Sequence, residues 1–170
     1  EFKVLGEAEN LSKGAIVKAD GHETDDFTEA KAIDGDDTTR WASPVALGEH
    51  WISLEYGKEI SIQSFKIHWE RTNATKYRLE KSSDGTNWER VVSFEKKPDS
   101  YQQIINLDEP INTQHVRLFI EEFDPKGAPE NGNEVTWNTV GIYEFETYAE
   151  KLEEPENTQD PQEIADNLGI

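Results

Sequence analysis

The segment from Lys31 to Trp41 reads KAIDGDDTTRW, with three aspartates and two threonines in eleven residues beside an Ile and a Trp of buried type. Asp34, Asp36, Asp37, Thr38 and Thr39 offer hard oxygen ligands at close spacing, and Gly35 permits the turn that gathers them. Such a set suits a calcium ion, which takes six to eight oxygens. It is not an EF-hand loop, because no bidentate Glu closes a twelve-residue stretch. An Asp-Gly turn with solvated acids accounts for the same residues, so the segment by itself leaves both readings standing. Nucleophilic chemistry has no comparable cluster. His22, His50, His68 and His115 are scattered, and neither a Gly-x-Ser-x-Gly elbow nor a His-Glu-x-x-His pair occurs. His50 and His115 precede strand patterns and read as hydrogen-bonded structural groups. Among 36 acids, two neighbouring carboxylates are weak evidence for glycosidase chemistry. A binding role therefore stands ahead of an enzymatic one.

Candidate binding residues lie in loops. Trp137 follows KGAPENGNEVT, a Gly/Pro/Asn-rich stretch without alternation, and reads either as a stacking platform for a ligand or as a cap over the end of a sheet. Glu70, Arg71 and Asn73 leave a strand pattern in WERTNA, and His22, Glu23, Asp25, Asp26 and Phe27 stand in GHETDDFTEA. Arg71 and Asn73 carry paired planar groups that could grip vicinal hydroxyls; the plainer reading is an exposed turn. Trp41, Trp51, Trp69 and Trp88 fall inside strand patterns and read as core.

The elements that must position these residues are strands. HWISLEYG sets Trp51 and Ser53 opposite Ile52 and Leu54, and ISIQSFKIHWE aligns Phe65, Ile67 and Trp69. KYRLEKS, WERVVSF, YQQIINL, HVRLFIEEF and VGIYEFETY continue the period-two pattern, separated by YGKE, SSDGTNW, KKPDS, LDEPINT and DPKGAPENGNE as turns. Six or seven short strands with no helical stripe predict an all-β sandwich of antiparallel sheets. With 170 residues, one such domain is expected. Residues 150–170 carry seven acids against one base and two prolines, a composition expected of a linker, with PQEIADNLGI as a short helix opening a following module. The chain reads as a piece of a larger protein.

Charge narrows the partners. A formal net charge of −19 argues against nucleic acid and against anionic membranes, which both attract basic surfaces, and leaves neutral or cationic ligands such as sugars and metal ions. The absence of cysteine removes disulfides, thiolate metal sites and thiol nucleophiles. No apolar run approaches the roughly 20 residues that span a bilayer, and no signal-peptide core opens the chain.

In order along residues 10–149, AIDGDDTTRW, HWISLEYGKEISIQSFKIHWE, YRLEKSSDGTNWERV, HVRLFI and GIYEFETY resemble the coagulation factor 5/8 type C, or discoidin, pattern. They resemble more closely still the family 32 carbohydrate-binding modules of secreted bacterial glycoside hydrolases. The resemblance implies a discoidin-like jelly-roll β-sandwich over 1–149, one structural Ca2+, and a glycan site in the loops at one end. The implied calcium ligands are the Lys31 carbonyl, the Asp34 carboxylate, the Asp37 carbonyl, Thr39 through hydroxyl or carbonyl, and Glu144, preferred over Glu146. The implied sugar site gathers His22, Asp25, Phe27, Glu70, Arg71, Asn73 and Trp137.

Galactose-binding members carry a His after the Thr-Arg-Trp element and an Arg followed by Asn. Here Ala42-Ser43 follows Trp41, and Glu70 stands near the expected Arg. An N-acetylhexosamine-containing glycan, N-acetylglucosamine rather than galactose, is therefore expected. The implied setting is a bacterial secreted or cell-wall-attached protein in which the module tethers a catalytic module of the same polypeptide. A discoidin-type protein-interaction or adhesion domain is the alternative; a membrane role is disfavoured by the charge and by the lack of a Phe-Leu loop.

Overall fold

The computed structural model describes Phe2, Lys3 and residues 8–154. Nine strands follow in order: β1 (Phe2–Lys3), β2 (Ile16–Ala19), β3 (Trp41–Ala42), β4 (His50–Trp69), β5 (Ala74–Ser82), β6 (Glu89–Phe94), β7 (Gln102–Phe123), β8 (Gly141–Tyr148) and β9 (Lys151–Leu152). Two short 3₁₀ turns, Asp25–Phe27 and Glu29–Ala32, precede β3.

β4 and β7 are long enough to serve two layers. Pairing from His50↔Ile120 to Glu55↔His115 breaks before Ile60, resumes from Ile60↔Thr113 to Ile62↔Ile111, and after a second irregularity runs from Ser64↔Asn106 to His68↔Gln102. Gly57, at φ 78°, sits in the break, where a side chain would be strained. The stretches YGKE and LDEPINT, expected to separate strands, are instead corners inside β4 and β7, where strands switch layers of a sandwich. One layer runs β2–β4–β7–β5–β6 and the other β3–β8–β4–β7, all antiparallel. This is the antiparallel β-sandwich that the alternation predicts, in the discoidin-like form that the resemblance implies.

The core lies between the layers. Ile52 and Leu54 face it from the first half of β4, and Phe65, Ile67 and Trp69 from the second. Phe65 stacks on Phe145 at 6.4 Å, and Trp69 meets Tyr77 edge-on at 5.4 Å across the layers. Both polar tips of that pair reach the Gln103 side chain, as buried aromatic polar groups must. Trp41 is buried with them, its indole N–H donating to the Gly21 carbonyl at 2.9 Å.

Trp51 and Trp88, expected in the core, lie instead on the outer face of the five-stranded layer. Because Ile52 and Leu54 point inward, the two-residue period sends Trp51 outward. The Arg117 guanidinium lies 4.4 Å from the Trp88 ring and 5.8 Å from that of Trp51, and Glu80 accepts from Arg117 at 2.6 Å and Arg78 at 3.0 Å. The aromatics there cover a buried carboxylate and its arginines.

At the C-terminal side, Leu152 is buried and exchanges two hydrogen bonds with the Asn106 side chain, and β9 pairs in parallel with β1. Residues 151–152 thus join the sandwich beyond the expected boundary at 149. The helix expected over 161–170 lies outside the described residues.

Candidate glycan-binding tip and acidic turn

The ends of β4, β5, β7 and β8 bring the loops 20–29, 43–49, 70–73 and 124–140 to one end of the sandwich. A ladder of main-chain bonds ties them: Glu23 N to Ala42 O (2.9 Å), Ser43 N to Val140 O (2.8 Å), Ala46 N to Asn138 O (3.0 Å), Glu70 N to Gly141 O (3.0 Å) and Asp124 N to Asn73 O (2.8 Å). Ser43, standing near where galactose-binding relatives carry their His, is fully buried and accepts from Val140 N at 3.0 Å.

Trp137 stands on a built hairpin. Lys126 pairs with Thr136 and Glu130 with Asn133, and the turn between them places Asn131 at φ 51° and Gly132 at φ 78°, the backbone an Asn-Gly turn of the primed type adopts. Trp137 N donates to Pro125 O at 2.7 Å, closing the base. Trp137 is 50 % exposed. Its inner edge lies over Gly127, where a Cβ would come within 2.4 Å of Cδ1. A rigidly mounted aromatic with one open face is what the C–H side of a pyranose packs against.

The other expected sugar residues form two groups. Arg71 Nη2 donates to Thr139 O at 2.8 Å and to Trp137 O at 3.4 Å, and its Nε lies 3.5 Å from Glu70 Oε1. Arg71 thus holds the hairpin base, while its Nη1 is buried without a partner. Asn73 is buried; its Nδ2 donates to Asp124 O (3.1 Å) and Thr139 O (3.3 Å), so its amide is turned inward rather than toward solvent. His22, Asp25 and Phe27 lie in the neighbouring loop: His22 Nδ1 bonds Glu29 Oε2 at 2.8 Å, its Nε2 is 3.7 Å from Asp25, and the Arg40 guanidinium covers the Phe27 ring at 4.2 Å. The four tip loops carry ten acids against two bases, Arg71 and Lys126.

Two exposed apolar side chains, Val45 and Leu47, stand on the loop that bonds to Asn138. The sequence did carry their signal: SPVALGEH places apolar residues between two strands without alternation.

The acidic turn lies on the outer face of β8. Asp34 accepts from Asp36 N at 2.9 Å and from Thr39 Oγ1 at 2.5 Å, and Asp37 reaches His68 Nδ1 at 3.0 Å. Lys31 is in the second 3₁₀ turn, its ammonium bonded to Asp26 O. Facing them, Glu144 is 2 % exposed and neither carboxylate oxygen has a hydrogen-bond partner. Burial first, then the facing Asp34 and the charge of Glu146, push its pKa up to about 9; the Gly35 amide pulls weakly the other way. Glu146, the other candidate acid, is paired with Lys66 at 3.8 Å and bonded by the Tyr148 hydroxyl. Lys13 and Lys66 line the same cleft of about 310 Å³, yet neither satisfies Glu144. Among the described residues no three His, Asp or Glu side chains converge as a metal cluster. The oxygens that face one another there are the carboxylates of Glu144 and Asp34, with the Thr39 hydroxyl bonded to Asp34.

Comparison with known proteins follows the same outline. The family model described as "F5/8 type C domain" matches residues 16–144. A search of curated proteins found no match. Among solved structures, chitosan-binding module 2 of a chitosanase/glucanase from Paenibacillus sp. IK-5, in complex with chitotriose, is 29 % identical, with 82 % of this chain and 99 % of that one covered and a TM-score of 0.68. Module 1 of the same enzyme is 27 % identical over 82 % and 98 %, TM-score 0.69. A family 32 module from Clostridium perfringens, in complex with GalNAc-β-1,3-galactose, is 24 % identical over 83 % and 100 % and shares the fold at a TM-score of 0.66. The chain is therefore similar to carbohydrate-binding modules of glycoside hydrolases.

Proposed function

The chain belongs to the F5/8 type C domain family, and from that premise we propose that it is a non-catalytic module binding oligosaccharides of the glucosamine type, with N-acetylglucosamine favoured over galactose. In this reading it anchors a secreted, modular bacterial glycoside hydrolase to such glycans. The observation that carries the reading is Trp137, half exposed at the base of a hairpin held by two bridges and by the bond from its own amide to Pro125 O, at a tip where acids outnumber bases ten to two. The indole offers stacking without a conformational cost, and the acid excess favours a sugar whose amine is protonated over an anionic one. Likeness to two chitosan-binding modules at 27 % and 29 % identity supports the same sugar class.

A structural Ca2+ belongs to the proposal. The residues present fit a hard dication: Glu144 is buried without a partner and faces Asp34, and the Lys31 and Asp37 carbonyls with Thr39 would supply further oxygens. The ion would neutralise the facing carboxylates and tie the turn to β8. Around it the protein's own task is positional: Thr39 orients Asp34, and His68 orients Asp37.

Isothermal titration against chitotriose, tri-N-acetylchitotriose and galactose tests the reading. Binding of either glucosamine-type trimer with little response to galactose is expected. Saturable binding of galactose alone, or of none of the three, overturns it.

A further inference from the structure

His50 opens β4 at the same end of the sandwich, is 2 % exposed, and both its ring nitrogens face acceptors. Nδ1 lies 2.7 Å from Asp20 Oδ2, and Nε2 lies 2.7 Å from the Ala46 carbonyl. A carbonyl oxygen and an ionised carboxylate can only accept, so both nitrogens must carry protons for both bonds to exist. Asp20 cannot turn away to relieve the demand, because its other oxygen accepts from Trp51 N at 3.0 Å. From β7 the face presented to His50 is the Phe123 ring, at 5.8 Å, which is uncharged; from the 43–49 loop it is the Ala46 carbonyl; from the loop after β2 it is Asp20.

Ala46 is the link outward. Its carbonyl accepts from His50 and its amide donates to Asn138 O, the residue next to Trp137. We infer that His50 is a positioning residue whose imidazolium form clamps the 43–49 loop against the base of the Trp137 hairpin, making the tip's hold on its ligand sensitive to pH. The ligand part of this inference rests on the sugar-binding reading above; the clamp itself does not.

When the ring loses a proton, the carboxylate of Asp20 retains the one on Nδ1, and the bare Nε2 lone pair then faces the Ala46 oxygen at 2.7 Å. That contact is repulsive, so the loop must withdraw and the Asn138 carbonyl loses its fixed donor. Burial by itself lowers the pKa of His50, but the bond to Asp20, the Ala46 carbonyl and the charge of Asp20 outweigh it, and the net shift is upward from 6.5. A raised folded value means the clamp is complete at pH below the ordinary histidine range and is lost as pH rises through the folded value.

The test uses the full chain and two independent readouts. Nitrogen-15 spectra should show both His50 ring nitrogens protonated at pH 6, and the Trp137 indole resonance should shift with the His50 midpoint. Affinity for tri-N-acetylchitotriose, which is uncharged throughout, should fall about three- to tenfold between pH 6 and 9, the loss of about one hydrogen bond's worth of positioning. Asp20→Asn should move the midpoint down, since the facing charge is gone. His50→Gln, which can satisfy only one of the two acceptors, should remove the pH step and hold affinity at its high-pH level. A singly protonated ring at pH 6, or a Trp137 resonance indifferent to the His50 titration, overturns the clamp. If neither tri-N-acetylchitotriose nor chitotriose binds at any pH, the sugar reading falls, and the spectra still decide whether the clamp exists.

Discussion

Glu144 and Trp137 stand seven residues apart on one segment of chain, and the protein leaves each unfinished in an opposite sense. Around Glu144 the packing is closed and the charge is open: the side chain is buried, an acid faces it, and its oxygens have no hydrogen-bond partner, the Gly35 amide acting on them only weakly. Around Trp137 the hydrogen bonding is closed and the surface is open: Pro125 and Arg71 hold its backbone while half of the indole meets solvent. A buried unpaired carboxylate is costly and calls for a cation. An exposed aromatic costs little and waits for a flat apolar partner. The first arrangement bears on whether the domain stays folded, the second on what it holds.

The sharpest way to break this contrast is to withhold the proposed cation. If free Ca2+ stands about 1,000-fold above its dissociation constant, chelation withdraws about 4 kcal/mol of stabilisation. For a domain of this size that is a fall in Tm of about 10 °C, readable by calorimetry with and without chelator. Sugar affinity measured below the lowered Tm should change less than about twofold, because the tip loops are tied together by their own main-chain bonds. Glu144→Gln sharpens the point. The neutral amide removes the unpaired charge, so the variant's Tm should no longer depend on calcium, and in chelator it should melt above the parent. Equal melting of the parent protein with and without chelator would separate Glu144 from any metal.

Trp137→Ala probes the other half. Loss of the stacking face should weaken the glucosamine trimer by at least about tenfold, about 1.4 kcal/mol, while Tm moves by no more than about 2 °C since the ring is half exposed. A large fall in Tm with affinity retained would make the indole a cap on the sandwich.

How much of this was legible in the sequence depended on whether the information was local. Alternation in ISIQSFKIHWE and HVRLFIEEF specified strands and inward faces because the period of two is a property of the strand itself. The same rule contained the answer for Trp51: with Ile52 and Leu54 inward, an outward Trp51 follows, and counting it as core gave residue type precedence over phase. Trp88 needed more than phase, since what covers it is Arg117 from another strand. The corners in β4 and β7 read as turns because Gly57 marks the first and Pro110 the second, and only the pairing across β4 and β7 distinguishes a corner from a strand end. Within the candidate sites, the acidic turn announced itself by composition. Asn73 could not, because its inward amide answers to the carbonyls of Asp124 and Thr139, more than fifty residues away. His50 was read as structural, and it is hydrogen-bonded; that both its nitrogens face acceptors depends on Asp20 and Ala46 arriving from separate loops.

The smallest effect isolates the orientation of the platform from its presence. Gly127 does not occupy the left-handed region, so Ala is acceptable to the backbone, but the added methyl would sit 2.4 Å from Cδ1 and 2.7 Å from Nε1 of Trp137. The ring is free on its outer side and must swing away, while the bond from Gly127 N to Val135 O can remain. In Gly127→Ala the tryptophan is therefore retained and only its angle changes. Affinity for the trimer should fall about two- to fivefold, less than on removing the ring, with an altered near-ultraviolet tryptophan signal and a Tm within about 2 °C of the parent. Unchanged affinity with a visibly moved indole would mean that the sugar uses Trp137 as bulk apolar surface; a graded loss between the parent and Trp137→Ala would mean that the hairpin exists to hold the ring at one angle.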